Sequence, residues 1–373
     1  MSKVYFSSAR PMKWRYEESM PGKLERLLNE IGLSRYFSPK EWVAVKAHVG
    51  SEGAHRIVRP VFLRKVVEGL KNIGAKPCVV DTVRIRGLDY LDIANQNGIN
   101  HLSVGAPVVL GDGLYGRDNI MVKAGDILGE IAVASLIYDI PAMVVCSHVK
   151  GHINAGYGGA IKNVAMGGVS SAHRHCGWKC GRGAMHTLGE GDLVWDSRKC
   201  ELCYQCAEIC PLDAIVFSES NELTWDGNTC WRCGRCTRVC PSGAIVLPGD
   251  DERFLRSLAE AAKAVLSTFE PQKVLYINFL TEIQPECDCM PAADVPVIQD
   301  KGILMSDDMV AIEQATVDLL RRSEPLPESA IDRETLGKDG DIIFSLSKIN
   351  YTIQIDESER LGLGSKKYEF IEV

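Results

Sequence analysis

Apolar and polar positions along the chain switch repeatedly between short solid blocks and a helical period. Trp42-Val43-Ala44-Val45-Lys46-Ala47-His48-Val49 is nearly continuous in apolar residues, the pattern of a buried strand. A glycine-bearing loop follows, Gly50 to His55. Arg59-Pro60 then opens a segment in which Phe62, Val66, Val67, Leu70 and Ile73 recur at helical spacing, and Ala75 to Asp81 returns as a strand. Upstream, Lys3 to Ser7 reads as a strand and Ser19 to Leu33 as a helix, with Ser19 at the N-cap and Pro21 near the first turn. Leu88 to Gly98 continues as helix, and Pro107 to Leu110 and Ala142 to Ser147 as strands. Beyond residue 250 the rhythm resumes with a helix over Asp251 to Phe269 and a strand over Val274 to Phe279, and Asp300 to Met305 with a helix from Asp307 to Leu320 completes the pattern. The tail from Pro325, broken by Ser, Asp and Gly, closes on an edge-strand segment, Tyr-Glu-Phe-Ile-Glu-Val. This alternation predicts an α/β fold with a layered, mostly parallel sheet, whose ligands gather at the carboxyl edge of the strands.

One stretch breaks the rhythm. Cys200-x2-Cys203-x2-Cys206-x3-Cys210-Pro211 is repeated as Cys230-x2-Cys233-x2-Cys236-x3-Cys240-Pro241. Eight thiolates at this spacing fit two [4Fe-4S] clusters. Three cysteines of each run would wrap one cluster while the fourth reaches across to the other. The first set is then Cys200, Cys203, Cys206 and Cys240, and the second Cys230, Cys233, Cys236 and Cys210. Paired zinc sites separate two CxxC knuckles by a long loop and need no third and fourth cysteine before proline, and a disulfide framework belongs to oxidising compartments. The segment reads as an inserted bacterial-type ferredoxin (α+β) domain at 191–248, between α/β parts at 1–190 and 249–373. Tyr204 and Trp231 would shield the clusters from water, and Arg232, Arg235 and Arg238 would favour their reduced, more negative state.

With 373 residues, 46% hydrophobic and 24% charged, the chain can bury a large core. Its net charge of −7 excludes a general basic face for nucleic acid or anionic membrane, so partners are expected to be a small molecule or a redox protein. Met1 to Arg10 lacks the apolar core of a signal peptide and no later run reaches membrane-spanning length, which sets the expectation of a cytoplasmic protein, its fourteen cysteines serving as metal ligands or reduced thiols. Exposed clusters also point to an anaerobic or low-oxygen host.

Polar residues collect at the predicted strand ends: His48, Asp81, Asp112 and a group after Ser147. In an extended backbone, His148, Lys150 and His152 share one side. Gly156, Gly158 and Gly159 then allow close backbone approach to a ligand, and a helix start near Lys162 and Asn163 would favour a phosphate or carboxylate. Each histidine alone is an ordinary hydrogen-bonded residue; the cluster together marks a binding site. Four cysteines fall outside the eightfold pattern. Cys176 and Cys180, near His173 and His175, could hold a further metal from one helix face or be incidental thiols. Cys287-Asp288-Cys289 puts two thiols on one face if extended, and reads as a soft-metal ligand, a redox pair, a reactive thiol or buried structural cysteines.

Lys46-Ala47-His48, Asp81-Thr82, Lys150-Gly151-His152, Tyr157-Gly158-Gly159-Ala160-Ile161-Lys162-Asn163 and Cys287-Asp288-Cys289, with the eight-cysteine insertion, resemble domain-of-unknown-function family 362 over nearly the whole chain. That resemblance implies an iron–sulfur cluster-binding protein whose reaction is not established. His152-x2-Ala155-Gly156-Tyr157-Gly158-Gly159-x2-Lys162 is also similar, more distantly, to the nickel-pincer lactate racemase family. It implies Lys162 as the carrier of a covalent nucleotide-type cofactor and His152 as acid/base, with Arg59-Pro60 matching a substrate-binding segment. The chain departs from that family in lacking a nickel-ligating histidine at a matching spacing, the candidates being His173, His175 and His186, and in carrying the insertion. Two functions follow as expectations: an iron–sulfur oxidoreductase passing electrons to a group bound near Lys162, and a non-redox racemase or epimerase with structural clusters.

Overall fold

The computed structural model describes residues 1–83, 89–186, 191–210, 212–230, 232–290, 292–331, 336 and 340–373. Eight strands form its main sheet: β1 Ser2–Ser8, β2 Trp42–Ala47, β3 Lys76–Asp81, β4 Val108–Leu110, β5 Ala142–His148, β6 Val274–Leu280, β7 Gly302–Ser306 and β8 Tyr368–Glu372. Their spatial order is β8-β1-β7-β6-β5-β2-β3-β4. The run β6-β5-β2-β3-β4 is parallel throughout, and β7 alone runs antiparallel to both its neighbours. The tail strand adds to the edge as β8, parallel to β1.

Side-chain alternation along β2 sorts the two faces of the sheet. Val43, Val45 and Ala47 pack with Val79, Val144 and Ile277 against Leu24, Leu27, Leu63 and Leu70 of α1 (Met20–Ile31) and α2 (Pro60–Asn72). Ala44, Val80, Val145 and Tyr276 face α3 (Ala160–Gly168), α4 (Asp251–Leu266) and α5 (Met309–Arg321). A sheet buried on both faces explains why its strands read as apolar blocks. Local signals fix the helix starts: Ser19, Asp250 and Asp308 each cap a helix by accepting a backbone N–H.

Sequence patterning missed three pieces. A hairpin of Asn119–Lys123 and Glu130–Ala134 fills the span between β4 and β5. The tail also carries helices Ile342–Ser347 and Thr352–Arg360. The helix expected from Leu88 spans Tyr90–Gln96, and Leu88 itself lies outside the described residues.

The cysteine-rich segment stands apart from the sheet. Val194–Trp195 pairs with Ile245–Val246, and Ile215–Phe217 with Leu223–Trp225, so each ribbon takes one strand from each cysteine repeat. Helices Gln205–Glu208 and Arg235–Val239 carry Cys206 and Cys236, which share a small core with Ile215 and Ile245.

Candidate functional site: a cationic pocket beside the second cysteine run

The carboxyl ends of β2, β3 and β5 open into a cleft of about 1000 Å³, mouth included. Asp81, at the end of β3, is the hub of one wall. Its carboxylate accepts Lys46 Nζ at 2.8 Å, Tyr90 Oη at 2.6 Å and the backbone N–H groups of Val49 and Thr82, and meets His48 Nδ1 at 3.1 Å. Burial works against ionisation, but Lys46 and His48 outweigh it and hold the Asp81 carboxyl far below the usual range. Lys46 Nζ also donates to Asn163 Oδ1 at 3.0 Å, and Asn163 Nδ2 donates to Cys146 O and Ser147 Oγ. Asn163, expected to bind cofactor, thus fastens α3 to β2 and β5 while lining the cleft.

The opposite wall is built from His148, Lys150, His152 and the turn Cys287-Asp288-Cys289. The backbone is extended from β5 into a short strand, Lys150–His152, so the three alternate residues do line one cleft. Their roles differ. His148 lies between Asp288 Oδ1 and Thr281 O, each 2.8 Å from a ring nitrogen, and Lys150 Nζ sits 2.9 Å from Asp288 Oδ2. His148 therefore holds the turn in place and has no ring nitrogen left for proton transfer. Burial opposes ionisation of Asp288, but His148 and Lys150 bring its carboxyl down to about 2.

His152 Nδ1 accepts the backbone N–H groups of Asn154 and Ala155, at 3.2 and 3.0 Å, which puts the ring proton on Nε2, facing the Cys287 sulfur. Burial lowers the His152 pKa to about 4, so the ring is neutral at physiological pH. Lys162 Nζ lies 3.8 Å from Cys287 Sγ, and Cys289 N–H points at the same sulfur at 3.4 Å. The Cys289 thiol, then Lys162 and His152 against the effect of burial, hold Cys287 well below the ordinary thiol range. Cys287 is a buried thiol that its neighbours make easier to ionise. Its turn is tight rather than extended, closed by Met290 N to Cys287 O.

Three sequence expectations need correction. The N-terminus of α3 does not face a ligand: Glu313 of α5 accepts from Ala160 N there, and also from Tyr157 Oη and from Asn278 Nδ2 at 3.1 Å. The protein supplies its own carboxyl at the positive end of the helix, and Gly159 is small because a Cβ would strike that carboxyl. Gly156 packs against Tyr351 with φ of 74°, leaving only Gly158 and Gly159 of the three glycines on the cleft. Cys176 and Cys180 are joined as a disulfide in an irregular loop, outside the cleft, so neither thiol is free to share a metal with Cys287 and Cys289.

Sequence reasoning overlooked Arg182 and the place of His186. Arg182 Nη2 donates to Thr82 Oγ1 at 2.5 Å, and His186, stacked on Phe254, has its pKa lowered to about 3 by burial. No periodicity marks a buried cation in the glycine-rich stretch that carries both. With Lys46, Lys150, Lys162 and Arg235, Arg182 makes the cleft cationic, against two buried carboxylates, Asp81 and Asp288, while His186 lines it as a neutral ring.

The cysteine repeats meet this cleft. Cys233 and Arg235 line it, Asn154 Nδ2 donates to Cys233 O at 2.9 Å, and Arg235 Nη2 lies 3.5 Å from Cys289 Sγ. Behind Cys233, a separate cavity is lined by Cys210, Cys230, Cys233 and Cys236, the four cysteines of the second expected set. Burial, with a smaller effect from Cys240 and Cys200, its partners in the first set, pushes the Cys206 thiol up. The two repeats share three left-handed positions, Leu202 with Arg232, Tyr204 with Gly234, and Asp213 with Gly243. Such turns aim backbone N–H groups inward at sulfur, as in Ala214 N to Cys210 and Ala244 N to Cys240, at 3.3 and 3.2 Å. Among the described residues, no three His, Cys, Asp or Glu side chains already converge as a ready-made site for a single metal ion. Tyr204 is half-exposed against Phe217; Trp231 and Pro211 lie outside the described residues.

A family model described as Domain of unknown function (DUF362) matches residues 43–318, well over half of the chain and the whole of both walls of the cleft. The chain belongs to the DUF362 family. A search of curated proteins returns no match. Among solved structures, this DUF362 chain is similar to the lactate racemase apoprotein from Thermoanaerobacterium thermosaccharolyticum, at 13% identity and a TM-score of 0.34, over 75% of this chain and 51% of that one. The DUF362 chain thus spans about half the length of that protein. Among its described residues, no helix is long and apolar enough to cross a membrane.

Proposed function

We propose that this DUF362 protein is an iron–sulfur oxidoreductase in which residues 191–248 act as a ferredoxin-type unit serving an anionic small molecule bound in the cleft. One observation carries the reading: the second cysteine run and the activated Cys287 line one cavity, with Arg235 reaching from the run to Cys289. The donor set fits a cubane cluster at the second run, where four thiols line one cavity, and the paired left-handed turns and N–H groups directed at sulfur repeat that arrangement in the first run. Cys200, Cys203, Cys206 and Cys240 would hold one cluster, and Cys230, Cys233, Cys236 and Cys210 the other. Such clusters supply electrons one at a time. The chain's own residues do the rest: Lys162 and Arg182 attract the anion, Asp288 and His148 fix the Cys287 turn, and neutral His152 holds a proton on Nε2.

Iron and sulfide analysis with EPR on protein purified without oxygen tests this. The expected result is two [4Fe-4S] clusters, and in Cys203→Ser the loss of one of them with a weakened insertion. Retention of both clusters in that variant, or zinc in place of iron, would refute the ligand assignment.

A second reading keeps the clusters structural and makes Lys162 the anchor of a covalent or metal cofactor in a racemase-like reaction. It draws on Lys162 Nζ meeting the Cys287 sulfur while, among the described residues, neither Asp81 nor Asp288 of the same cleft pairs with it. Intact-protein mass spectrometry decides it: an adduct on Lys162 in natively expressed protein supports it, and an unmodified mass without bound nickel rejects it.

A further inference from the structure

Cys287 and Cys289 are used by neither cysteine run, yet they stand where the run meets the cleft. A closed turn puts Cys289 N–H on Cys287 Sγ at 3.4 Å and leaves the Cys289 thiol within hydrogen-bonding reach of the same sulfur. Each sulfur has a different cationic neighbour. Cys287, fully buried, faces Lys162 at 3.8 Å from the cleft side; Cys289, partly exposed, faces Arg235 at 3.5 Å from the cysteine-run side. Asp288 between them is pinned by His148 and Lys150, so the turn is held by buried ion pairs and hydrogen bonds. A merely structural pair of cysteines would need no such polarised arrangement.

We propose that Cys287 and Cys289 form a redox-active pair, cycling between dithiol and disulfide, that gathers single electrons from the second cysteine run into electron pairs for an anionic acceptor in the cleft. The inference rests on the iron–sulfur reading above. Opening the Cys287–Cys289 bond takes two electrons and one proton, the electrons arriving singly from a reductant of the iron–sulfur class. The proton goes to the Cys289 sulfur, and Cys287 leaves as a thiolate facing Lys162. Reclosing the bond returns the same two electrons and one proton to the bound acceptor, which is reduced. The chemistry selects an acceptor that is negatively charged and reducible by two electrons, such as a carboxylate-bearing disulfide. A thiolate can attack its sulfur, and the resulting mixed disulfide can be resolved by the second cysteine.

Thiol trapping tests the pair without any substrate. Full-length protein, purified without oxygen, is oxidised with glutathione disulfide or reduced with dithionite, then unfolded in an alkylating agent, and the peptide bearing both cysteines is weighed. The expected result is no label at Cys287 and Cys289 after oxidation and two labels after dithionite. Cys233→Ser should lose the dithionite response while dithiothreitol still reduces the pair, and Cys287→Ser should leave Cys289 alkylated in every state. Two labels after oxidation in protein that retains both clusters would overturn the redox pair and leave the iron–sulfur reading standing. A pair that dithionite reduces equally well after the iron is removed would overturn the one-electron route, and protein purified without oxygen that holds no iron would overturn the iron–sulfur reading beneath it. If Cys233→Ser fails to fold, the wild-type comparison of dithionite before and after chelator removal of iron gives the same decision.

Discussion

His152 and His186 show how burial decides chemistry at the residue scale. A free histidine has a pKa of 6.5, and burial brings these two to about 4 and about 3. Between those values and 6.5 the unfolded chain binds more protons than the folded one, so stability is complete above pH 6.5 and is lost as pH falls toward 4. The loss for His152 alone is roughly 2–3 kcal/mol. Thermal unfolding at neutral pH and at about pH 5 should show it, and His186→Gln should shrink the difference; an unchanged difference in that variant would place the acid sensitivity elsewhere. Lys162→Ala is a contrasting case, since it removes the cation opposite Cys287 without touching a cysteine ligand. Iron content should be retained while binding of small carboxylates, followed by calorimetry, is lost.

At the scale of elements, the start of α3 is the most informative. Its sequence, glycines before a helix, is that of an anion-binding loop, and the group it holds is the chain's own Glu313 carboxyl. Gly159→Ala should cost about 1–3 kcal/mol in chemical denaturation, because the new methyl must displace a buried carboxyl that three donors hold. A neutral result would show that Glu313 can move away at no cost. The strands and helices around this point were legible because burial on two faces leaves solid apolar blocks and because Ser19 and Pro60 punctuate helix starts. The His148, Lys150 and His152 face was legible from alternation alone. What the sequence could not reveal is partnership across distance: Glu313 under α3, Asp288 beneath His148, Arg235 on Cys289. These depend on which elements become neighbours, and no local period encodes that. The turn at Cys287 also hid its geometry, since a Cys-x-Cys reads equally as strand or loop.

For the molecule as a whole, the sheet is finished by its last strand. β8 covers β1, with Val373 N donating to Phe6 O at 2.8 Å. Deleting Tyr368 to Val373 should leave β1 as a bare edge and give concentration-dependent association by size-exclusion chromatography; a truncated chain that stays dispersed would mean that α1 and α5 already shield it. The centre of the sheet has a different dependence. β5 and β6 lie side by side in parallel register, yet the entire eight-cysteine segment falls between them in sequence. A ribosome delivers the chain in one direction, so every one of those cysteines emerges before the strand that closes the middle of the sheet does. On the iron–sulfur reading the thiols are therefore open to cluster insertion while the cleft is still unbuilt, so that the order of synthesis would put loading ahead of enclosure.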